Sequence, residues 1–482
     1  MRADPPEAPA SPRASLLKRL PPNRITPLIV ATSLFMEQLD GTVLATALPA
    51  MAADLHEDPV ALKLALTSYL LSLAVFIPLS GWAADKFGAR RVFRAAIAVF
   101  TAGSILSGFS QSLLEIVLAR VIQGLGGAMM VPVGRLVVLR TAPRDELVRA
   151  MAWLTVPALI GPLIGPPLGG FLATHFDWRY IFWINVPIGL LGIALSTRFI
   201  PNLREEKARP LDARGALLSG VGLSCIVFGF TIVGRGFAPA PVVALIIGAG
   251  VASIVGYLRH ARRIDHPIID LALLRIPTFQ AAIYGGFLFR IGLGAVPFLL
   301  PLLLQVGFGL TAIESGLLTF VAAAGAMVMK ATAHPILKRV GFRRALISNT
   351  LICSGFLILN ALFTPSTPHG LIMAALLIGG FFRSLQFTAL NTICYADVPR
   401  DSMSNATSFA AVGQQLSIST GVAIGAAALE AARALHGGGA LQWEDFAPAF
   451  YAVAVISMLS LTSFMRLAPN AGDELTGRGA RE

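Results

Sequence analysis

Long apolar stretches follow one another along almost the whole chain, separated by short polar segments. Each stretch has roughly 20 residues, the length that an α-helix needs to cross the ~30 Å hydrocarbon core of a bilayer. The pattern therefore predicts an all-α membrane protein with fourteen spanning helices. The predicted spans are 25–51, 61–83, 92–110, 114–139, 147–174, 179–199, 215–234, 241–258, 278–304, 311–333, 345–364, 370–393, 403–430 and 447–467.

The distribution of positive charge predicts the orientation of these spans. Of the 38 lysines and arginines, five fall within spans away from the span ends, and four, Lys63, Arg179, Arg235 and Arg433, lie in loops or at span ends on one side. All the others lie on the opposite side, which the positive-inside rule assigns to the cytoplasm. We therefore expect both termini to be cytoplasmic.

Composition argues against several classes of protein. Only 13% of the 482 residues are charged, against about 25% in a soluble globular domain. The net charge of +12 is spread over short loops without a basic, aromatic patch, so nucleic-acid binding is not expected. The cysteines Cys225, Cys353 and Cys394 lack metal-ligand spacing, and the sequence shows neither a catalytic constellation nor an ATP-hydrolysing motif. We expect no metal, no cofactor and no enzymatic activity.

A repeated loop indicates duplication within the chain. Gly88-Ala89-Arg90-Arg91 follows the second predicted span, and Gly341-Phe342-Arg343-Arg344 follows the tenth, 253 residues later. Two six-helix halves with two helices inserted between them explain this spacing, and such halves are typical of secondary transporters. The predicted division is a tail at 1–24, a six-helix bundle at 25–199, a linker with two helices at 200–277, a second bundle at 278–467 and a tail at 468–482.

Two acids lie deep within a predicted span, Glu37 and Asp40, at i and i+3 on the same helix face. Acids inside a bilayer are costly and usually functional. A carboxyl group that is neutral in one state and ionised in another can carry a proton. Arg120, on the fourth span, lies at a depth that allows it to pair with Asp40. We predict a proton-coupling group of these three residues; a structural ion pair or a packing hydrogen bond is the alternative.

Two further arginines, Arg290 and Arg383, fall near the middle of the ninth and twelfth spans, in a half without a central acid. Three interpretations remain open: they face a cavity and attract an anionic substrate, they pair with Glu37, or they cap helix carbonyls. The predicted substrate cavity comprises Glu37, Gln123, Arg290, Arg383, Gln386, Asn391 and Gln414.

The fifth predicted span is rich in glycine and proline, with Gly165, Pro166, Gly169 and Gly170 in one turn and a half. Proline kinks a helix and glycine permits close packing of helices in lipid. We predict that this slender helix forms a gate between the two halves.

Five segments carry motifs in order along residues 25–467. They are Phe35–Val43, Gly81–Arg91, Arg120–Gly126, Gly165–Gly170 and Trp178–Gly189. Together they resemble the major facilitator superfamily, and specifically its fourteen-helix drug:H+ antiporter family of EmrB/QacA-type multidrug exporters.

The resemblance implies two six-helix bundles with two extra central helices, and proton-driven export of drugs or other amphipathic solutes by alternating access. It places Asp40 and Arg120 in the coupling network, and it implies a conformational gate that includes Asp85, Gly88, Arg90 and Arg91. It also implies a monomer in a bacterial inner membrane; whether a periplasmic adaptor joins it stays open.

The chain also departs from the family pattern. The second loop motif, Ala331–Arg344, has no aspartate at the place of Asp85, and Lys330 stands in a stretch that is usually neutral. The central arginines leave the charge of the substrate open. An exporter of one metabolite, such as an organic acid, sugar or siderophore, is therefore the alternative function, and a non-transporting membrane sensor is a remote one.

Overall fold

A computed structural model describes residues 22–141, 147–201, 210–232, 239–264, 267–399 and 402–476, and every regular element within these ranges is helical. Two short 3-10 segments, Leu271–Arg275 and Trp443–Asp445, and a π-helical turn, Leu303–Gly307, accompany the α-helices. The α-helices are α1 (Pro22–Asp54), α2 (Lys63–Phe76), α3 (Leu79–Phe87), α4 (Ala89–Phe109), α5 (Leu113–Thr141), α6 (Leu147–His175), α7 (Tyr180–Trp183), α8 (Asn185–Phe199), α9 (Ala213–Ile232), α10 (Ala240–Ala261), α11 (Pro277–Leu302), α12 (Ala312–Val340), α13 (Phe342–Ala361), α14 (His369–Ile393), α15 (Met403–Leu435), α16 (Phe446–Met458), α17 (Leu461–Phe464) and α18 (Asp473–Thr476).

The described helices show a multi-pass membrane protein. Eleven spans among the described residues are long and apolar enough to cross a bilayer, and the number is twelve if α2 and α3 count as one bent span. The shorter apolar helix Ala213–Gly229 and α6 coincide with the two remaining predicted spans. The count of fourteen therefore stays a prediction.

The second predicted span is broken rather than straight. Helices α2 and α3 meet at an angle of 57°, and Pro78 precedes the first residue of α3. Proline lacks a backbone N–H and its ring clashes with the carbonyl four residues earlier, which bends a helix. The apolar run alone could not show this bend, because the length of a hydrophobic stretch does not report the direction of the helix axis.

The two repeated loops have the same backbone geometry. Gly88 (φ 94°) separates α3 from α4, and Gly341 (φ 80°) separates α12 from α13. Only glycine adopts such positive φ values without strain. Arg90 Nη1 donates a hydrogen bond to the carbonyl of Ile200 (3.4 Å), just after α8. Arg343 Nη2 donates to the carbonyl of Met465 (2.9 Å), just after α17. Each loop thus holds the end of the last helix of its group.

Helix α6 packs against α1 on one side and α12 on the other. Towards α1, a Cβ atom at Gly165 would collide with Thr42 Oγ1, and one at Gly169 would lie 2.5 Å from the carbonyl oxygen of Val43. Towards α12, a Cβ atom at Gly170 would collide with the carbonyl of Ala312. Small residues allow this approach in lipid, where dispersion and close packing hold helices together.

We expect Gly169→Ala to destabilise the protein, because the added methyl group meets the α1 backbone and overpacking costs about 1–3 kcal/mol. The measurement is the apparent thermal unfolding midpoint of the purified protein. Gly355→Ala is the control, since Gly355 is exposed on α13 and a Cβ there meets nothing within 4 Å. Equal midpoints for the two variants would contradict the predicted contact.

Candidate functional site

We call α1–α8 the first helix group and α11–α17 the second. Asp40 is 3% exposed, and its carboxylate lies in the interior of the first group. Arg120 Nη1, from α5, donates to Asp40 Oδ2 at 2.5 Å. Gln123 Nε2, one turn further along α5, donates to Asp40 Oδ1 at 2.8 Å. The structure thus brings Asp40 and Arg120 together as an ion pair; their role in transport stays a prediction.

A third donor comes from a helix that the sequence analysis did not connect with this site. Asn185 Nδ2, at the start of α8, donates to Asp40 Oδ1 at 2.9 Å and contacts Ser104 Oγ at 3.0 Å. Ser104 in turn donates to the carbonyl of Phe182 at 2.8 Å. Asn185 was visible as a polar residue within an apolar run, whereas Ser104 gave no signal, because serine is common in membrane helices.

Arg120 is fully buried and its charge is balanced locally. Its Nε donates to the carbonyl of Ala65 at 3.1 Å, and its guanidinium carbon lies 4.2 Å from the ring centroid of Tyr69. Its Nη2 has no partner among the described residues. Removing one member of a buried ion pair leaves an uncompensated charge, so Asp40 and Arg120 depend on each other.

Glu37 lies one helical turn before Asp40 on α1, on the side away from Asp54. It is half-buried, and its Oε2 has no hydrogen-bond partner among the described residues. The Tyr69 hydroxyl is also buried without a partner in that part of the chain. Glu37 is thus a second acid near the Asp40 network. No described hydrogen bond holds its Oε2 in place.

A cavity of about 200 Å³ lies between the two groups of helices. It borders the Asp40 site because Gly41 and Thr42, the next two residues on α1, form part of its wall. Its lining residues come from six helices: Gly41, Thr42, Ala45 and Thr46 (α1); Pro162 and Pro166 (α6); Leu293, Val296, Pro297, Leu300 and Pro301 (α11); Thr319, Ala322 and Ala323 (α12); Cys353, Phe356, Leu357 and Asn360 (α13); and Ala375, Leu376, Gly379, Gly380 and Arg383 (α14).

Only one of the polar residues predicted for the substrate cavity lines this space, Arg383. Arg290 is 6% exposed, and its Nη2 donates to Asn391 Oδ1 at 3.2 Å. Gln386 is buried, and its Nε2 donates to Thr350 Oγ1 on α13 at 2.9 Å. Gln414, half-buried on α15, is likewise absent from the cavity wall.

The predicted gate residues fall in two places. Asp85 is half-buried near the end of α3, Gly88 and Arg90 form the loop described above, and Arg91 is exposed on α4. In contrast, Gly165, Pro166, Gly169 and Gly170 lie where α6 is packed between α1 and α12. The structure does not gather these residues into one site.

The helix groups contact each other on the side that carries Asp58, here called the Asp58 side. Arg433 Nη1, near the end of α15, donates to Asp58 Oδ2 at 2.5 Å. Gln305 Nε2 donates to the carbonyl of Thr46 at 3.0 Å. Together with the contact of Gly170 with Ala312, these interactions hold the groups together beyond the cavity.

The sequence model of the Major Facilitator Superfamily matches residues 30–422. The chain belongs to this superfamily. Two of its relatives, from Escherichia coli O6:H1 (strain CFT073) and Salmonella heidelberg (strain SL476), are both described as "Putative multidrug resistance protein MdtD". They are 39% and 40% identical over 400 residues, covering 82% of this chain and 84% of each relative. This superfamily member is a multi-pass membrane transporter, not an enzyme.

Solved transporter structures share its fold. The D-xylose-proton symporter superposes with a TM-score of 0.67 at 14% identity, covering 93% of this chain and 98% of the other. The human organic anion transporter MFSD10 superposes with a TM-score of 0.61 at 15% identity, covering 92% and 100%. These likenesses support the superfamily fold and carry no argument about substrate.

We expect Asp40→Asn to destabilise the superfamily member, because it leaves Arg120 as an unpaired buried cation, a loss of roughly 3–5 kcal/mol for broken buried pairs. The double variant Asp40→Asn/Arg120→Gln should recover part of the loss. Thermal unfolding of purified variants measures both effects. Asp177→Asn is the control, because the exposed pair of Asp177 with Arg179 contributes little. The asparagine side-chain oxygen can still accept from the backbone N–H of Arg179, as Asp177 Oδ1 does. A double variant less stable than Asp40→Asn would contradict the pairing.

We also expect Asp58→Arg to open the Asp58 side, because it places two cations together where the helix groups meet. The native thiol of Cys353 lines the cavity and reports this opening. Its labelling by a membrane-impermeant maleimide, quantified by mass spectrometry, should accelerate several-fold and return towards the wild-type rate in Asp58→Arg/Arg433→Asp. Asp177→Arg makes the same charge change elsewhere. Equal acceleration in that control would show that the ion pair does not hold this side closed.

Proposed function

We propose that this protein is a proton-coupled antiporter that exports drugs or other small amphipathic solutes by alternating access. The observation that carries the proposal is the hydrogen-bonded network of Asp40, Arg120, Gln123 and Asn185 directly behind the cavity wall. The homology of the chain to the MdtD proteins, which are described as multidrug resistance proteins, supports the choice of export.

Protonation of Asp40 would change the forces on three helices at once. As a carboxylate, Asp40 accepts from donors on α5 and α8. A proton on Asp40 removes the charge that balances Arg120, and the buried cation must then find another partner or move towards water. Helix α1 carries both Asp40 and the cavity wall at Gly41 and Thr42. A shift of α1 would therefore link proton binding to the shape of the cavity.

Glu37 offers a route for that proton. Asp40 is nearly sealed from solvent, whereas Glu37 is half-buried and its Oε2 lacks a described partner. A carboxyl group without fixed donors can accept or release a proton with little rearrangement of its neighbours. We propose that Glu37 relays protons between the cytoplasmic side and Asp40.

Helix α6 forms the moving contact in this proposal. Its glycines lie against α1, which carries Asp40, and its Gly170 lies against α12 of the other helix group. A displacement of α1 would thus be transmitted to the boundary between the groups. We propose that closure on the side opposite the Asp58 side is controlled by Asp85, Gly88, Arg90 and Arg91.

The proposal includes the predicted topology. It has fourteen spans, the domain boundaries 25–199, 200–277 and 278–467, and a bacterial inner membrane with cytoplasmic termini. The positive charge pattern supports the cytoplasmic termini, and the matching geometry of the Gly88 and Gly341 loops supports two repeated halves. The bacterial relatives support the choice of membrane. A monomer needs no further chain to complete the cavity, which six helices of one chain line.

In reconstituted vesicles, we expect Asp40→Asn to abolish solute accumulation driven by a pH gradient, because the side chain can no longer release a proton. Exchange of labelled for unlabelled solute without a gradient should persist, since the substitution replaces none of the residues that line the cavity. Solute flux and internal pH are followed together, with Asp177→Asn as the control. Full gradient-driven accumulation by Asp40→Asn would refute its proposed role.

A further inference from the structure

Arg383 is the one formally charged side chain on the wall of the central cavity, as far as the described residues line it. No aspartate or glutamate stands among those lining residues. A cavity built to hold an organic cation would be expected to present an acid. The charge of the wall is the opposite of that.

The guanidinium of Arg383 makes no hydrogen bond or ion pair with any described residue. The threonines of the wall, in contrast, are already occupied. Thr42 donates to the carbonyl of Gln38 at 2.9 Å, Thr46 to that of Val43 at 3.0 Å, and Thr319 to that of Ser315 at 2.9 Å. Arginine carries five N–H donors, so this side chain retains the largest unused donor capacity in the cavity.

Arg383 lies at one end of this space. On α14 the wall consists of Ala375, Leu376, Gly379, Gly380 and Arg383. Helix α13 runs from the Gly341 loop to the Asp58 side. Helix α14, which follows it, therefore starts on the Asp58 side. Arg383 is therefore the α14 lining residue furthest from that side. The remaining wall is mostly apolar, with Leu293, Val296 and Leu300 on the neighbouring α11.

Arg290, the other central arginine, is not among the described residues that line the cavity. Its side chain is buried against Asn391, to which it donates at 3.2 Å, and its guanidinium carbon lies 5.8 Å from the Phe387 ring centroid. Of the two central arginines, Arg383 alone meets the space between the helix groups.

We infer that the cavity binds amphipathic anions, with one carboxylate or sulfonate group held by Arg383 and an apolar body along α11 and α14. The inference rests on the proposed export function and specifies its substrate class. An anionic group satisfies a cation that the described residues leave unpaired, and Arg binds carboxylates in a bidentate geometry. Asn360, on the same wall, supplies a neutral hydrogen-bonding group to the distal part of the ligand.

The test uses three probes with one apolar body and different head groups: dansylglycine (carboxylate), dansylglycinamide (neutral) and N-dansylethylenediamine (ammonium). Binding is measured at equilibrium, without a gradient, in nanodiscs of zwitterionic phosphatidylcholine, so that no anionic lipid contributes. We expect the carboxylate to bind about 10- to 100-fold more tightly than the amide, the range for a charge-assisted hydrogen bond. Equal binding, tighter binding of the amine, or no binding would overturn the inference.

Variants at position 383 locate the effect. Arg383→Met should reduce the carboxylate preference to within a few-fold of unity, Arg383→Lys should retain part of it, and Arg383→Glu should favour the amine. Arg259→Met is the control, because it removes one exposed arginine on α10. An unchanged preference in Arg383→Met would overturn the inference. The wild-type comparison of head groups decides it independently if a variant fails to fold.

Repeating the binding in nanodiscs with added phosphatidylglycerol separates a free anion from a lipid head group. Undiminished dansylglycine binding supports the free amphiphile as the ligand, and displacement by the lipid overturns it. Gradient-driven flux is measured separately. Proton-linked transport that is indifferent to head-group charge and to Arg383→Met would sink the inference and leave antiport intact. Arg383-dependent anion binding without proton flux would sink antiport alone.

Discussion

Three hydrogen-bond donors surround the carboxylate of Asp40 within an apolar helix bundle. Arg120 balances its charge, and Gln123 and Asn185 occupy its second oxygen. Unpaired charge in such surroundings is strongly unfavourable. The positions of α1, α5 and α8 therefore depend on this one group, and the proposed protonation of Asp40 would disturb all three helices.

Close backbone packing determines how such a disturbance can spread. Glycines let α6 approach α1 on one side and α12 on the other, so a helix of the first group lies directly against the second. In lipid the hydrophobic effect does not drive helices together. Small residues therefore decide which helices can approach closely. On the Asp58 side, the Arg433–Asp58 pair adds an electrostatic contact between the same two groups.

The two helix groups share a backbone plan but carry different chemistry. Their Gly88 and Gly341 loops match in conformation, and each places an arginine against the end of its last helix. The first group holds a buried ion pair between Asp40 and Arg120. The second presents Arg383 to the cavity without a described partner. We propose a division of labour, in which the first group would respond to protons and the second to the charge of the solute.

The sequence by itself determined the helices, the duplicated loops and the candidate acids and arginines, because hydrophobic length, glycine conformation and the cost of charge in lipid are local properties. The tertiary structure alone decided which of these residues meet. Arg383 lines the cavity, whereas Arg290 contacts Asn391 and Gln386 contacts α13. Asn185 donates to Asp40, and Ser104 contacts Asn185. These outcomes depend on the rotation and tilt of each helix against its neighbours, which long-range packing sets and residue spacing does not encode.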